Sequence, residues 1–493
     1  MGLKTSLVLM LAFIVLGTFA LFDPLHTRDK AELKKEQESR VFWLKDKLLE
    51  KIKVHAGKTE VELACAKPEG CTFDGTSDWL VTQPVQERAD PASVGALAGS
   101  IMSLTQTEKF ELDAGTDPKE YGFDTPSAEL EFQVKGDAVP YALKVGSAKA
   151  IGSSAYVQTN RSPNTVFMVA NYFPAMLQKD LFHWRNKRIF PESASGNVSA
   201  IEWIDKTGQK FSATKKNNVW TLESPVSAPA NSILVEGLAT TLVYLDMKGV
   251  FSESRSSAPA KKVLSGKPAW TLAFANAKGE WSRVTVYSVA KEKGGTEFVV
   301  AKAGEPRLLT IDGLVLERFN KPLIEYRERR LIVGDELSGA TEVALIFPKE
   351  KKEIVLKPEA QTWVYTSGDK PTEALSRDRI DSFLRVLSSI EASNLVKISA
   401  DPMYTAFTKL PADLELEFRS DGKPKRRMRF AIHKRQEILT ESLVPGELAV
   451  LSGAFLKLLP VRLHDLYESA NKQVITSEPA KEGKHGEHSH PDH

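Results

Sequence analysis

Three stretches of the chain share one pattern of apolar and polar positions. In each, apolar residues follow at positions 4, 7, 11 and 14 after Asp90, Asn231 or Ser376, residue types that cap helix N-termini. The apolar positions are Val94, Leu97, Ile101 and Leu104; Val235, Leu238, Leu242 and Leu245; and Ile380, Phe383, Leu387 and Ile390. This spacing lays one stripe along four turns of helix. The pattern therefore predicts three helices that each pack one face on a core.

Tryptophans and strand-like segments recur at the same interval. Trp79, Trp220 and Trp363 lie 141 and 143 residues apart, and we expect all three in the cores of the repeats. Later in each stretch, the alternating segments SAELEF, AWTLAF and ADLELEF predict strands. Lys-Gly-Asp, Lys-Gly-Glu and Asp-Gly-Lys follow them and predict hairpin turns.

Together these signals predict an α+β fold of three tandem repeats of a strands–helix–strands–helix module, behind an N-terminal transmembrane helix. At about 140 residues, each copy is long enough to bury its own core. The predicted segments are residues 1–29 with the anchor at 5–22, a charged helical stalk at 30–51, repeats at 52–192, 193–334 and 335–470, and a disordered, His-rich tail at 471–493.

The anchor is predicted from the uncharged run TSLVLMLAFIVLGTFALF at residues 5–22, which has about the minimum length for a membrane-spanning helix. A cleaved signal peptide is the alternative. Basic residues follow the run while only Lys4 precedes it, which would hold the rest of the chain in the cytoplasm. These basic residues alternate with acidic ones, however, and the short N-terminal head is typical of exported proteins. We expect the bulk of the chain in a bacterial periplasm.

The stalk is predicted from an apolar stripe at Val41, Leu44, Leu48 and Ile52. An ordinary first helix of the globular part is the alternative interpretation.

The two cysteines also favour export. Cys65 and Cys71 flank the turn-like segment AKPEG, so a disulfide could close across a hairpin, and structural disulfides need an oxidising compartment. Two unpaired, buried thiols are the alternative.

A search for chemistry finds no enzyme signature. The sequence contains no His-Glu-x-x-His, no Gly-x-Ser-x-Gly and no phosphate loop, so we expect no catalytic residues and no cofactor. Four histidines crowd the C-terminus and could hold a metal adventitiously, although a solvated tail is the simpler interpretation. They are His485, His488, His490 and His493.

Charge argues against nucleic acid as a partner. Sixty-six Lys and Arg against 64 Asp and Glu leave a net charge of +2. The basic segment KPKRRMR at residues 423–429 is predicted to be a solvated strand face or a guarded sheet edge, with a docking patch for anionic lipid or an acidic partner as the alternative.

A junction with clustered arginines recurs between the predicted repeats. Trp184, Arg185 and Arg188 match Tyr326, Arg327 and Arg330 at a spacing of 142. Such arginines could clamp a phosphate or carboxylate ligand. In the third copy, Tyr467 is followed by Glu-Ser-Ala, so the arginines disappear where no further module follows. We therefore predict a structural role in orienting one module on the next.

The first third of the chain also resembles a known family. DWLVTQPVQERADPASVGALAGSIMSL, YGFDTPSAELEF and the following LKVG…AYVQ…VFMV pattern are similar to the bacterial domain of unknown function 4340, and the element beginning at Tyr121 is the most specific part. The resemblance implies a single-anchor envelope protein, of a kind often encoded beside membrane components of gliding-motility-type ABC transport systems. It implies no catalytic residues.

We therefore expect a non-catalytic, membrane-anchored periplasmic accessory or scaffold protein whose partners are the membrane and membrane subunits of a transporter complex. A binding module that holds a lipid, glycan or peptide between repeats is the alternative, and an enzyme of unrecognised class is a remote one.

Overall fold

A computed structural model describes residues 24–73, 78–112, 118–148, 153–190, 197–292, 294–333, 339–360, 362–397, 407–433 and 437–470. The described chain is a strand-rich α+β structure with three antiparallel sheets, which confirms the predicted class. It divides into two compact units. Met1–Arg188 contains the first sheet, and Ile189–His493 contains the second and third.

The first sheet has nine strands in the order β4-β3-β2-β1-β6-β7-β8-β9-β5. They are β1 Leu49–Ala56, β2 Thr59–Cys65, β3 Trp79–Gln83, β4 Glu87–Arg88, β5 Glu108–Glu111, β6 Ala128–Val134, β7 Tyr141–Ala148, β8 Ser154–Thr159 and β9 Ser162–Ala170. In β6, the predicted alternation is confirmed, because every second residue from Ala128 to Val134 is buried. This period of two is what places one face of a sheet on a core.

The second sheet also has nine strands, and its order is β13-β12-β11-β10-β15-β16-β17-β18-β14. They are β10 Val198–Ile204, β11 Lys210–Lys216, β12 Val219–Ser224, β13 Ala228–Pro229, β14 Gly249–Ser252, β15 Trp270–Asn276, β16 Trp281–Ala290, β17 Thr296–Lys302 and β18 Leu308–Ile311. The strand order is the same as in the first sheet, with β10 in the position of β1, β11 in that of β2, and so on to β18 in that of β9.

The third sheet follows the same order with one outer strand fewer, β21-β20-β19-β23-β24-β25-β26-β22. Its strands are β19 Glu342–Phe347, β20 Lys352–Glu359, β21 Thr362–Gly368, β22 Asn394–Lys397, β23 Leu414–Ser420, β24 Lys423–His433, β25 Glu437–Glu441 and β26 Glu447–Ser452. β21 therefore forms an edge, where β3 and β12 each have a short strand outside them.

The three predicted hairpins are present. The strand pairs β6–β7, β15–β16 and β23–β24 are antiparallel neighbours in the three sheets. Gly136, Gly279 and Gly422 lie in the turns between them with φ of +85°, +80° and +71°. This left-handed conformation is accessible to glycine at no steric cost.

In the described chain, the helices are short apart from four. They are α1 Pro24–Ser39, α2 Pro91–Ser103, α3 Tyr172–Leu177, α4 Leu181–Trp184, α5 Ser232–Val243, α6 Ala258–Leu264, α7 Leu314–Glu317, α8 Leu323–Tyr326 and α9 Arg377–Ser389. 3₁₀ turns are found at Pro118–Tyr121, Phe407–Lys409, Gly453–Lys457 and Leu463–Leu466.

The predicted helices α2, α5 and α9 are confirmed. Asp90 accepts a hydrogen bond from the Ser93 amide at 2.7 Å, and Asn231 accepts one from the Leu234 amide at 3.1 Å. In the described chain, the third cap, Ser376, makes no such side-chain bond. All the predicted stripe residues are buried except Ile390, which is half-buried.

The three tryptophans differ in burial. Trp79 and Trp220 are 2% and 1% exposed, whereas Trp363 is half-buried and packs at the margin of its core. Because Trp363 stands on the edge strand β21, it lacks the outer strand that covers the equivalent position in the other two sheets. Trp363 therefore packs against the core of the third sheet, as predicted, but is less buried than Trp79 and Trp220.

The predicted stalk helix over residues 30–51 is wrong in its second half. Helix α1 ends at Ser39, and β1 begins at Leu49. Phe42 and Leu44 are buried in the core of the first sheet, and Asp46 has a φ of 61°, which interrupts a helix. The apolar residues that read as a helical stripe are therefore anchored in the globular part.

Among the described residues, no helix combines the length and apolar character needed to cross a membrane. The predicted anchor at residues 5–22 and the predicted tail at 471–493 lie outside the described residues.

Candidate functional site

Beside each sheet, an isolated backbone bridge joins the residue before the helix cap to a residue that follows a short helix later in the chain. The bridges join Ala89 to Arg185, Ala230 to Arg327 and Leu375 to Tyr467. Beside each bridge, the backbone amide of the helix-capping residue donates a hydrogen bond of 2.8 to 2.9 Å to a backbone carbonyl. The donors and acceptors are Asp90 and Trp184, Asn231 and Tyr326, and Ser376 and Leu466. The sequence spacing aligns Tyr467 with Tyr326, and this alignment is wrong by one residue. Tyr467 forms the bridge that Arg185 and Arg327 form beside the other two sheets, so it is equivalent to these arginines.

The first of these arginines is paired within its own unit. Arg185 Nε lies 3.0 Å from Glu87 Oε1, and the two side chains are 3% and 10% exposed. Glu87 begins the edge strand β4, and Arg185 directly follows helix α4. The ion pair therefore connects the end of α4 to the edge of the first sheet. Arg188 is exposed, and its amide donates to Asn186 Oδ1 at 2.9 Å.

The second arginine reaches into the third sheet. Arg327 donates through both terminal nitrogens to the carboxylate of Glu447, with Nη1 3.1 Å from Oε1. The two side chains are 8% and 4% exposed, and Glu447 begins β26. Arg330 is exposed and pairs instead with Glu328. The bidentate geometry occupies the fork of Arg327, which leaves it unable to serve as a clamp for an external anion.

The aromatic residues at the junction are core residues. Trp184 and Tyr326 are fully buried, and the Tyr326 ring lies 5.1 Å from that of Trp203. The Tyr326 hydroxyl accepts a hydrogen bond from the Lys321 amide at 2.9 Å. Burial raises the pKa of Tyr326 to about 12, so it stays neutral at any physiological pH.

The second and third sheets meet in a closed junction. Arg330 and Glu391 form a backbone bridge, and the Ala392 amide donates to the Arg329 carbonyl at 2.8 Å. The cavity lined by Arg327, Leu331 and their neighbours has a volume of about 10 Å³. A space of this size holds at most one water molecule.

The predicted module boundaries fall a few residues too late. Ile189 and Phe190 are buried, and the Phe190 ring lies 4.9 Å from that of Phe274 in the second sheet. Leu331 and Ile332 belong to the core of the third sheet. Each apolar pair therefore packs with the sheet that follows it, although boundaries at 192/193 and 334/335 assign it to the preceding module.

Cys65 and Cys71 form a disulfide, with their Cα atoms 5.7 Å apart. Cys65 ends β2, and Cys71 forms a backbone bridge with Leu49 at the start of β1. The disulfide therefore fastens the loop that follows β2 to the centre of the first sheet.

We expect the double variant Cys65→Ala with Cys71→Ala to lower the free energy of unfolding of the first unit by about 2 kcal/mol, because a short loop loses its cross-link in the unfolded state. Urea-dependent proteolysis of the full-length protein would measure this loss. A reductant should destabilise the wild type to a similar extent and leave the variant unchanged. Equal stability of reduced and oxidised wild type would contradict the prediction.

The segment Tyr121-Gly122-Phe123 packs closely on β7. The Tyr121 ring lies 5.5 Å from Phe110 and 5.1 Å from Tyr156. Gly122 has a φ of +76°, and a Cβ atom on Gly146 would collide with the Tyr121 carbonyl oxygen. Two glycines therefore allow the backbones to touch, which gives this sequence element a structural explanation.

The basic segment at 423–429 pairs with β23 on one side only, because β25 pairs with β24 at Ala431, Ile432 and His433 and not at the residues before them. Within the described residues, the other side of this segment is therefore a sheet edge, as the sequence predicts. Arg427 and Arg429 each pair with Glu415 on β23. Lys423 and Lys425 are exposed at the hairpin end. The carboxylate of Glu415 is thus shared by two arginines of this strand.

The four C-terminal histidines lie outside the described residues. Within the part of the chain that the structure describes, no three His, Cys, Asp or Glu side chains are grouped so that they could hold a metal ion.

A cleft of about 990 Å³ runs along α5. Its walls are the outer face of α5, the short α7 and the end of the β11–β12 hairpin. It is lined by Lys215, Asn218, Trp220, Ser232, Ile233, Glu236, Gly237, Thr240, Thr241, Tyr244, Leu245, Asp246, Lys248, Asp312, Leu314, Val315 and Arg318. We call it the α5 cleft.

Large apolar side chains stand exposed around the α5 cleft. Ile233, Leu314 and Tyr244 are 87%, 74% and 58% exposed, and the neighbouring Val219 is 58% exposed. Single exposed apolar residues are ordinary, whereas a group around one cleft marks an interaction site.

At one end of the cleft, charges are paired internally. Glu236 accepts hydrogen bonds from Lys215 Nζ at 2.8 Å and from Trp220 Nε1 at 2.7 Å. Burial acts to raise the pKa of Glu236, but these two hydrogen bonds outweigh it and hold the pKa below its ordinary value. Glu236 is therefore ionised at neutral pH and fixed in place.

The α5 cleft was not predicted from the sequence. The apolar stripe of a helix identifies the face that packs on the core, and it gives no information about the opposite face. An available signal was a second set of apolar positions, Ile233 on α5 and Tyr244 directly after it, which are large although they lie outside the buried stripe.

Comparison with known families yields one finding. A family model for the domain of unknown function DUF4340 matches residues 79–221 and again residues 220–408. The two matches begin at Trp79 and Trp220, and together they extend well beyond the first third of the chain. No curated protein and no solved structure matches the chain.

Proposed function

We propose that this chain, which belongs to the DUF4340 family, is a non-catalytic accessory or scaffold protein of a bacterial envelope complex. In this proposal, residues 5–22 anchor it in the inner membrane, and the bulk of the chain lies in the periplasm. Its modules bind membrane subunits of an ABC-type transporter or a gliding-motility-type system, with the anchor raising their effective concentration.

The description as three tandem modules is part of the proposal. It is supported by the common strand order of the three sheets and by the backbone bridge that closes each of them. The two family matches begin at tryptophans in equivalent strands, β3 and β12.

The observation that carries the proposal is the closed junction between the second and third sheets. A ligand held between modules needs a pocket of roughly 300–1,000 Å³. The junction contains a cavity of about 10 Å³ and a buried, bidentate ion pair, Arg327 with Glu447. The spacious cleft lies instead on the outer face of α5, where another protein can reach it. This favours a rigid scaffold that presents surfaces over a module that encloses a ligand.

The periplasmic location is supported by the disulfide Cys65–Cys71. Structural disulfides persist in oxidising compartments such as the periplasm and are rare in the cytosol.

Affinity purification after cross-linking in cells tests the proposal. The full-length protein would be recovered from gently solubilised membranes and its companions identified by mass spectrometry. We expect subunits of an ABC transporter in stoichiometric amounts, and none with an unrelated single-anchor periplasmic protein used as the control. Recovery of the protein alone with a bound lipid or glycan would overturn the scaffold proposal and favour the second candidate, a ligand-binding module that uses the α5 cleft.

A further inference from the structure

Strand β21 lies at a position where the other two sheets carry a further, outer strand. In the first sheet, the Ala89 amide donates to the Trp79 carbonyl at 2.9 Å, and Val81 pairs with β4. The second sheet repeats both contacts at Trp220 and Leu222 of β12. Among the described residues, β21 pairs with β20 alone, so its outer side is an open edge.

The open edge of β21 presents its backbone at the positions equivalent to those contacts, Trp363 and Tyr365. The Trp363 amide faces outward, where it donates to Asp381 Oδ1 of α9 at 3.0 Å. Residues along an antiparallel strand turn their backbone groups alternately to its two sides, so Tyr365 also turns its amide and carbonyl outward. An added strand can therefore pair with Tyr365 as β4 pairs with Val81 and β13 with Leu222.

The composition of β21 is that of a covered strand. Edge strands usually carry charged residues or proline, or are very short. The outer strands of the other two sheets fit this rule, because β4 is Glu87-Arg88 and β13 is Ala228-Pro229. β21 instead has seven residues, TWVYTSG, without a charge or a proline. We therefore expect its outer side to be covered.

The connection from β21 to α9 does not supply the covering strand. The tryptophan and the helix cap are 13 residues apart here and 11 apart in the other two sheets. The longer connection is held by Tyr467, which bridges to Leu375 and whose hydroxyl accepts a hydrogen bond from the Thr372 amide at 3.2 Å. A strand that covers β21 must therefore come from another part of the chain or from another molecule.

The C-terminal segment of the chain starts close to this edge. Ala470 is the last described residue, and its carbonyl accepts a hydrogen bond from Arg379 Nη2. Along the axis of α9, Arg379 lies about 3 Å from Asp381, which binds the Trp363 amide. An extended chain covers about 3.3 Å per residue, so the seven residues after Ala470 can span about 23 Å. They can therefore reach the outer side of β21.

Those seven residues include a stretch suited to a strand. Val474, Ile475 and Thr476 are β-branched, and no further β-branched residue follows them up to His493. β-branched residues favour strands. Pro479 then limits the stretch, because proline cannot donate to a sheet.

We infer that residues 473–477 add to the outer side of β21, as β4 and β13 do in the other two sheets, and so close this edge to strands of other chains. The sequence alone predicts a disordered tail at 471–493, and the inference assigns five of those residues to a strand. It does not depend on the proposed accessory function.

Hydrogen–deuterium exchange of the full-length protein tests the inference at the Tyr365 amide, followed in overlapping peptides. We expect protection in the wild type. The double variant Val474→Pro with Ile475→Pro removes two neighbouring amides, one of which faces β21 in any register, and should speed exchange of Tyr365 at least tenfold. The matched control, Lys481→Pro with Glu482→Pro, should leave it unchanged. A peptide from β19 should exchange equally in all three proteins, since the centre of the sheet is not affected.

Two exchange results would overturn the inference. Unprotected exchange of Tyr365 in the wild type would show an uncovered edge. Protection that survives Val474→Pro with Ile475→Pro would show that something other than residues 473–477 covers β21.

Photo-cross-linking of the full-length protein identifies the occupant directly. With p-benzoylphenylalanine at Ile475, we expect an adduct to the peptide that contains Thr362–Gly368 of the same chain, and no such adduct from the control position Lys484. Mixing isotopically labelled and unlabelled protein distinguishes one chain from two. Adducts that join two copies, or that join this position to another protein, would overturn the inference. Co-purification of transporter subunits tests the proposed function separately, and neither of its outcomes bears on this strand.

Discussion

Replacing Arg327 with alanine is expected to destabilise the second compact unit by about 3–5 kcal/mol, because the variant leaves the Glu447 carboxylate buried without its partner. The carboxylate is 4% exposed, so the surrounding protein shields it from bulk solvent. Hydrogen–deuterium exchange of peptides from β26 in the full-length protein measures the effect where it arises. A loss of 3 kcal/mol corresponds to more than a hundredfold faster exchange at 1.4 kcal/mol per factor of ten.

Two further variants distinguish a buried pair from a general effect of charge. Arg330→Ala removes an exposed arginine that pairs with Glu328, and we expect it to cost less than about 1 kcal/mol. The double variant Arg327→Met with Glu447→Leu removes both buried charges, and we expect it to recover most of the stability lost by Arg327→Ala. Equal effects of Arg327→Ala and Arg330→Ala would contradict the structural role of this junction.

Replacing Gly146 with alanine is expected to destabilise the first unit by at least about 2–3 kcal/mol. The added Cβ would collide with the Tyr121 carbonyl oxygen and also meet the Phe123 ring at 3.0 Å. Neither β7 nor the Tyr121 segment can withdraw without breaking other contacts, so overpacking is costly. Urea-dependent proteolysis and exchange of the β7 peptide would both report the loss.

Gly99→Ala is the matched control in the same unit. Gly99 lies within α2, and a Cβ there meets the Phe73 carbonyl oxygen at an ordinary 3.5 Å. We expect unchanged or slightly higher stability, since alanine favours a helix interior. A Gly146→Ala variant as stable as Gly99→Ala would show that the Tyr121 segment is loosely attached.

The elements that the sequence predicted well are those with a local cause. The stripe from Val94 to Leu104 and the cap at Asp90 lie within a few turns of one helix, so their spacing is sufficient to identify them. The hairpin glycines Gly136 and Gly422 signal their turns for the same reason.

The elements that it missed depend on distant residues. Leu44 and Ile52 fit a helical stripe, and their assignment to a loop and a strand follows from contacts with the first sheet. Arg327 and Glu447 are 120 residues apart, and no local pattern connects them. The α5 cleft likewise combines α5 with α7 and the β11–β12 hairpin, which come together after folding.

The strand order has a consequence for how fragments of this family are cut. Both family matches start inside a sheet: residue 79 begins β3, while β1 and β2, which lie between β3 and β6, precede it. A truncation at that residue would remove two central strands and split the rest into disconnected ribbons. Each family match therefore begins after the first two strands of one sheet and ends after the first strands of the next. An expressed fragment should instead begin upstream of β1, so that it contains a whole sheet.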